Sequence, residues 1–395
     1  MKLSAFGLVA ALAATSSALP SALRRAKDYT SAGPRVLMGH NGHIFIADYL
    51  AESKEFKMTF KGNSKGDPSW MAFAAPDRLY AVDEFSAALY YYGVNLDTNE
   101  LVFKGGSNGS LGVVHLEFNT NKTRLIGSAY GNGTVDVWNI ENDGLKLVDT
   151  IKSDGKLGPN TERQAASHPH QANLDPTGRY FAVNDLGTDS ILVIDSKNDE
   201  YKKIGDVRVE PAGCGPRHGV FYPRGTSDDA THYMVVCEIT NQVLVFSVKY
   251  TTNGLHFKQI QTLSTFGDAF PPANASTAAA GEIALTPNNQ DVYISNRLTG
   301  NKTDSIAHFK VRRSKCGAAS LEFSDTVSSG GLLPRMFSLS NDAETVFSAN
   351  QDGKYGLAAI DIGPNGKLGD KPLATLDNTV FGDVGFGPQF VQQIA

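Results

Sequence analysis

Cysteine is scarce, with three in 395 residues: Cys214, Cys237 and Cys316. An odd count leaves one thiol unpaired within the chain, so disulfides are not expected to define the fold. Cys237 sits in the apolar run Met234 to Ile239 and reads as a buried, inert thiol. No cysteine spacing matches a metal site. Charge is also low, at 19% Asp, Glu, Lys and Arg, with a formal net charge of −5. No local basic patch offsets that balance, which excludes a nucleic-acid partner. Beyond the first residues no apolar run is long enough to span a bilayer. Phosphate-loop, dinucleotide and nucleophile-elbow motifs are absent. Cys214 near His218 is the lone thiol–imidazole pair.

What is abundant is glycine, 39 residues, together with 21 Phe and 14 Tyr. That mixture favours short strands and tight turns over long surface helices. At the N terminus, Lys2 precedes the apolar stretch Leu3 to Ala14 and the small residues Ser16-Ser17-Ala18. Residues 1–18 therefore read as a secretory signal peptide. Arg24-Arg25 offers a second, dibasic processing point, and residues 26–395 read as one domain. Five N-x-[ST] sequons, at Asn108, Asn121, Asn132, Asn274 and Asn301, fit a secreted or cell-wall glycoprotein.

One pattern recurs along the chain: an apolar pair, a turn rich in Asp, Asn, Pro or Gly, a β-forming run, a polar loop and another strand. Leu174-Asp175-Pro176-Thr177-Gly178 leading to Tyr180–Val183 is a clear copy. The anchors Phe73, Phe118, Leu174, Phe221, Leu285 and Leu339 lie 45, 56, 47, 64 and 54 residues apart, and a degraded first copy begins at His43. Seven copies of about 50 residues, each supplying four short strands, predict an all-β, seven-bladed β-propeller of four-stranded antiparallel blades. No blade can bury its own faces, so the chain must close into one ring.

Repeat-equivalent positions face the same place on such a ring. Four and three residues before successive anchors lie His170 and Gln171, Arg217 and His218, Gly281 and Glu282, and Arg335 and Met336, with His115 in the third copy. After the second strand of each copy come Glu84, Tyr130, Asp185, Glu238, Arg297 and Gln351, with Asn184, Asn296 and Asn350 beside them. Both sets are expected at one mouth of the central channel, because adjacent strands are antiparallel. Arginine forks hold carboxylate or phosphate, while His and Glu can move protons. His170, Glu238, Arg217 and Arg297 are the candidate catalytic residues. His168, Gln171, Asp185, His218, Glu282, Asn296, Arg335 and Gln351 are the candidate substrate-binding residues. His40, His43 and His308 lie outside the pattern and read as structural. A metal on His168, His170, His218 and Glu238 is disfavoured by Arg217 among them, so neither metal nor cofactor is expected.

The motifs His168-Pro169-His170-Gln171, Asn184-Asp185-Leu186-Gly187, Gly215-Pro216-Arg217-His218, Glu238-Ile239-Thr240-Asn241, Ser295-Asn296-Arg297 and Leu333-Pro334-Arg335 together resemble the lactonase family of seven-bladed propellers. That family includes bacterial-type 6-phosphogluconolactonases and fungal carboxy-cis,cis-muconate cyclases. The resemblance implies a metal-free cyclase-type site on His170, Arg217, Glu238 and Arg297. The arginines would hold substrate oxygens, and Glu238 and His170 would exchange a proton as a lactone C–O bond forms or opens. It implies a small anionic lactone or dicarboxylate-like substrate. The leader and sequons set the chain apart from the intracellular members and argue against the cytosolic 6-phosphogluconolactone. The secreted character also keeps a second expectation open, a non-catalytic glycoprotein that binds a small anion in the funnel. Oligomeric state is not readable.

Overall fold

The computed structural model describes residues 33–395 apart from 268, 269, 316, 383 and 384. The leader, the dibasic point and Cys316 lie outside the described residues. The described chain forms seven four-stranded antiparallel sheets laid down one after another, the predicted seven-bladed propeller. In six blades the innermost strand comes first in the chain. The exception closes the ring: Phe390–Gln393 is the innermost strand of the blade whose other three strands are Arg35–His40, His43–Leu50 and Glu55–Asn63. Antiparallel pairing of Met38 with Val391 and Gly39 with Phe390 joins the last strand to the first.

The middle strands read as continuous apolar runs because both of their faces are covered. In Tyr180–Asp185, Tyr180 and Ala182 pack toward the following blade, whereas Phe181 and Val183 pack toward the preceding one. The period of two therefore feeds two neighbouring cores from one strand. Seven such apolar seams occur, one between each pair of adjacent blades. The outermost strands have one covered face and alternate accordingly, as in Lys202–Arg208.

One irregularity positions the site. In four consecutive blades the pairing of the innermost strand slips near its start: at Val113/His115, Pro169/Gln171, Pro216/Gly219 and Ala280/Ile283. The residues in the slips are Val114, His170, Arg217 with His218, and Gly281 with Glu282. A bulge frees side chains from strict alternation and re-aims them. Here it turns a repeated sequence position into a cluster lining the channel.

The cysteine expectation is corrected. Cys214 and Cys237 form a disulfide, and both are fully buried. Pairing of Pro216 with Cys237 in the hairpin places the two sulfurs side by side, a register that spacing alone does not reveal. Cys237 is buried, as expected, but it is not a free thiol, and the Cys214–His218 pair offers no nucleophile.

Candidate active site

The innermost strands all run away from one mouth of the channel, and at that mouth a cavity of about 160 Å³ is lined by Glu84, Val114, Tyr130, Arg163, His170, Arg217, Glu238, Arg297 and Arg335. The four residues expected to be catalytic therefore meet in one pocket. Their supports are local. Gly215 holds a left-handed φ of +64°, and a Cβ there would lie 2.7 Å from Ile239, so the chain can turn into Pro216–Tyr222 only with glycine. A Cβ on Gly281 would come 2.5 Å from Ser295 Oγ. Its bare backbone instead lets the Gly281 carbonyl accept from Arg217 Nη1 at 2.9 Å.

Glu238 is the hub of the pocket. Its Oε2 lies 2.8 Å from Arg217 Nε and accepts from Arg297 Nη2 at 3.0 Å, and its Oε1 accepts from Arg163 Nη2. Burial alone would raise its pKa, but Arg297, Arg217 and Arg163 outweigh burial and hold the carboxyl down at about 2. Glu84 similarly pairs with Arg335 at 2.8 Å. Four guanidiniums against these two carboxylates leave the lining with surplus positive charge. Burial and then Arg297 lower Arg217 to about 9, which still leaves it cationic at neutral pH. Such a site is electrostatically incomplete without an anion.

His170 is buried, and burial followed by Arg217 drives its pKa well below the usual histidine value. Its ring is therefore neutral and can accept a proton, whereas Glu238 is locked as a carboxylate between three cations. The two groups expected to exchange a proton are thus held in different states: His170 as a neutral ring and Glu238 as a carboxylate among three arginines.

Among the expected binding residues only Arg335 lines this pocket. His168 stacks on Tyr130 with ring centroids 4.1 Å apart, and its Nδ1 is 2.7 Å from the Tyr130 carbonyl, so it holds a pocket wall. Asp185 is fully buried and accepts from Ser153 Oγ and from the backbone N–H groups of His168, Gly187 and Thr188. Asn296 donates to the Thr265 carbonyl. Gln351 bonds Leu333 and Gly387 through its backbone. These three residues tie loops together. Gln171 and Glu282 line a different cavity at the far ends of the innermost strands, and His218 lies between the two cavities. Among the described residues no group of three His, Cys, Asp or Glu is placed to hold a metal ion. His308, read as structural, is buried against Asp291 at 2.6 Å. Of the sequons, Asn108, Asn121, Asn132 and Asn274 are exposed, whereas Asn301 is partly buried and donates to the Pro271 carbonyl. No helix among the described residues is long and apolar enough to cross a membrane.

Arg163 is the residue that the repeat reading missed. It lies on the long loop 153–168 between Lys146–Lys152 and Pro169–Leu174, outside the anchor-relative positions at which the repeats align. Buried Gln164 pins that loop by donating to the Leu186 carbonyl and to Asp189 Oδ1, which turns Arg163 inward. The length of that loop was the available signal.

Comparison with known proteins returns one consistent picture. Residues 29–371 match the family described as "Lactonase, 7-bladed beta-propeller". The chain is 34% identical over 268 residues to a protein of Arthroderma benhamiae named "Probable 6-phosphogluconolactonase", covering 66% of each chain. It thus spans just under two thirds of that relative. It is 26% identical over 306 residues to the 6-phosphogluconolactonase of Bacillus subtilis, covering 76% of this chain and 81% of that one. The fold is shared with the periplasmic gluconolactonase of Pseudomonas aeruginosa, with a TM-score of 0.76 at 21% identity over 92% of this chain and 99% of that one.

Proposed function

The chain belongs to the seven-bladed β-propeller lactonases, and from that premise we propose that it opens the lactone ring of a small anionic molecule by acid–base catalysis. The observation that carries this reading is the convergence of four arginines on a pocket of about 160 Å³ that also contains the neutral ring of His170. The volume suits one small ring rather than a polymer. The surplus guanidinium charge suits a substrate carrying carboxylate or phosphate. The relatives named 6-phosphogluconolactonase are lactone hydrolases by name, and that gives ring opening precedence over muconate-type ring closure. It also brings phosphorylated sugar lactones back among the substrates to try, despite the leader.

In this reading Arg217 and Arg297 bind substrate oxygens and stabilise the negative charge that builds on the carbonyl oxygen as water adds. His170 Nε2 takes the proton of the attacking water. The tetrahedral intermediate collapses, the ring C–O bond breaks, and the departing oxygen is protonated. Export of the protein is part of the same proposal. It is supported by the leader pattern, four exposed sequons and a disulfide in a chain with so few cysteines.

The test is turnover of a panel containing a phosphorylated sugar lactone, a carboxylated lactone, an uncharged lactone and a carboxymuconate. Charged lactones are expected to react, and Arg217→Ala is expected to lower kcat/KM by roughly 10²–10³-fold. Equal rates for wild type and variant would overturn the assignment. Tight binding of the anions without turnover would instead establish a binding protein.

A further inference from the structure

Two candidate binding residues sit behind the pocket rather than in it, and they form a chain. His170 lines the pocket, and its Nδ1 lies 3.1 Å from His218 Nε2. His218 Nδ1 in turn lies 2.9 Å from both carboxylate oxygens of Glu282. All three side chains are nine-tenths or more buried. Glu282 also lines the cavity of about 610 Å³ at the opposite mouth of the channel. The three groups therefore bridge the partition between the two mouths. They come from three successive blades, each from a slip in its innermost strand.

We infer that His218 and Glu282 are a proton relay for His170, fixing its tautomer and carrying the proton it abstracts toward the far end of the channel. The inference rests on the reading of the pocket as an acid–base site. Its logic is a count of ring protons. With Glu282 ionised, His218 must donate from Nδ1, which leaves its Nε2 as an acceptor. His170 must then donate from Nδ1, and its Nε2 carries a lone pair into the pocket. When Nε2 takes a proton from water, the O–H bond breaks and an N–H bond forms. The Nδ1 proton of His170 passes to His218 Nε2, and the Nδ1 proton of His218 passes to Glu282. The end state is two neutral imidazoles and a neutral carboxylic acid, with one hydroxide delivered to the substrate.

The surroundings make that route favourable. An imidazolium at His170 would sit buried near Arg217, Arg297 and Arg335, and burial and those charges disfavour it. The same pressures act on His218, with Glu238 opposing them weakly, and His115 faces His218 with ring centroids 5.8 Å apart. Glu282 is different. Burial raises its pKa to about 7 against the pull of Arg217 and Arg297, so it can accept a proton near neutrality. Glu117 lines the same cavity, and burial likewise raises it to about 7.

The experiment combines ¹⁵N NMR of histidine-labelled protein with kinetics of Glu282→Gln and Glu282→Asp. In unliganded wild type above pH 7, His170 is expected to be protonated at Nδ1 and bare at Nε2. On titration through about pH 7 the proton pattern of both rings should invert while both stay neutral. This readout needs no substrate, so it decides the relay even if the catalytic reading fails. A protonated Nε2 on His170 above pH 7, or imidazolium formation on titration, would overturn it. With a turned-over lactone, Glu282→Gln should lower kcat about 100-fold with KM changed less than threefold. It should also abolish the limb of the rate profile near pH 7, and Glu282→Asp should restore that limb. If Arg217→Ala is inactive while Glu282→Gln keeps wild-type kcat and pH profile, the relay is wrong and the lactonase assignment stands.

Discussion

Glu238 shows how the partners of one residue set its chemistry. A carboxylate beside arginines reads as an acid or base, and three guanidiniums on this one hold it in the ionised form. Its stability effect has a definite sign. The unfolded carboxyl titrates near 4.5 and the folded one near 2, so its pairing stabilises the fold above pH 4.5 and is lost as pH falls toward 2. Glu238→Gln is expected to flatten the loss of unfolding free energy between pH 5 and 2. It should also lower stability at pH 7 by about 3 kcal/mol, because three buried cations lose their shared partner. Denaturant titrations of both proteins across that pH range check this. Glu282 works in the opposite sense. Its raised pKa makes the folded state bind the proton more tightly, so its contribution declines as pH rises from about 4.5 to about 7.

At the scale of the element, the hairpin of Pro216–Tyr222 and His232–Cys237 carries Arg217 near its start and precedes Glu238 at its end. The Cys214–Cys237 bond ties the two ends together beside the pocket. Removing both sulfurs by Cys214→Ser with Cys237→Ser is expected to cost about 2–5 kcal/mol in denaturant unfolding. The variant should also lose affinity for a bound anion more than a blade variant of equal stability does, since the Arg217–Glu238 contact depends on that closure. The repeat reading found this hairpin because equivalent residues recur before each anchor. It missed the disulfide because cross-strand register, not spacing, brings the cysteines together. It missed Arg163 because that residue lies on a long inter-blade loop, outside the strand-anchored positions that the repeat aligns. It expected His218 and Glu282 at the mouth that holds Arg217, whereas Glu282 lines the opposite cavity and His218 lies between the two, since a one-residue slip decides which side chain faces which cavity.

On the scale of the whole molecule, ring closure depends on Phe390–Gln393, whose Phe390 and Val391 are almost completely buried. Deleting residues 390–395 would leave Arg35–His40 without its inner partner and open the seams on either side of that blade. Expected results are a loss of several kcal/mol from the two buried side chains alone, and aggregation through the exposed strand edge. Thermal unfolding and size-exclusion chromatography would show both. A change confined to one outer strand should have far less effect, because its alternating pattern buries a single face.

The sequence by itself determined the number of blades and the mouth at which Arg217, Arg297, Glu238 and His170 meet. Both follow from a short-range pattern of β-forming runs and turns repeated along one chain, and repetition converts position into location on a ring. Tertiary structure alone decided which charges touch. Three arginines from separate segments share Glu238, two histidines and Glu282 align through the channel, and two cysteines pair. Each of these depends on contacts a few ångströms long between segments that are distant in sequence. At that range a single bulge or one inserted loop redirects a side chain without disturbing the pattern that built the fold.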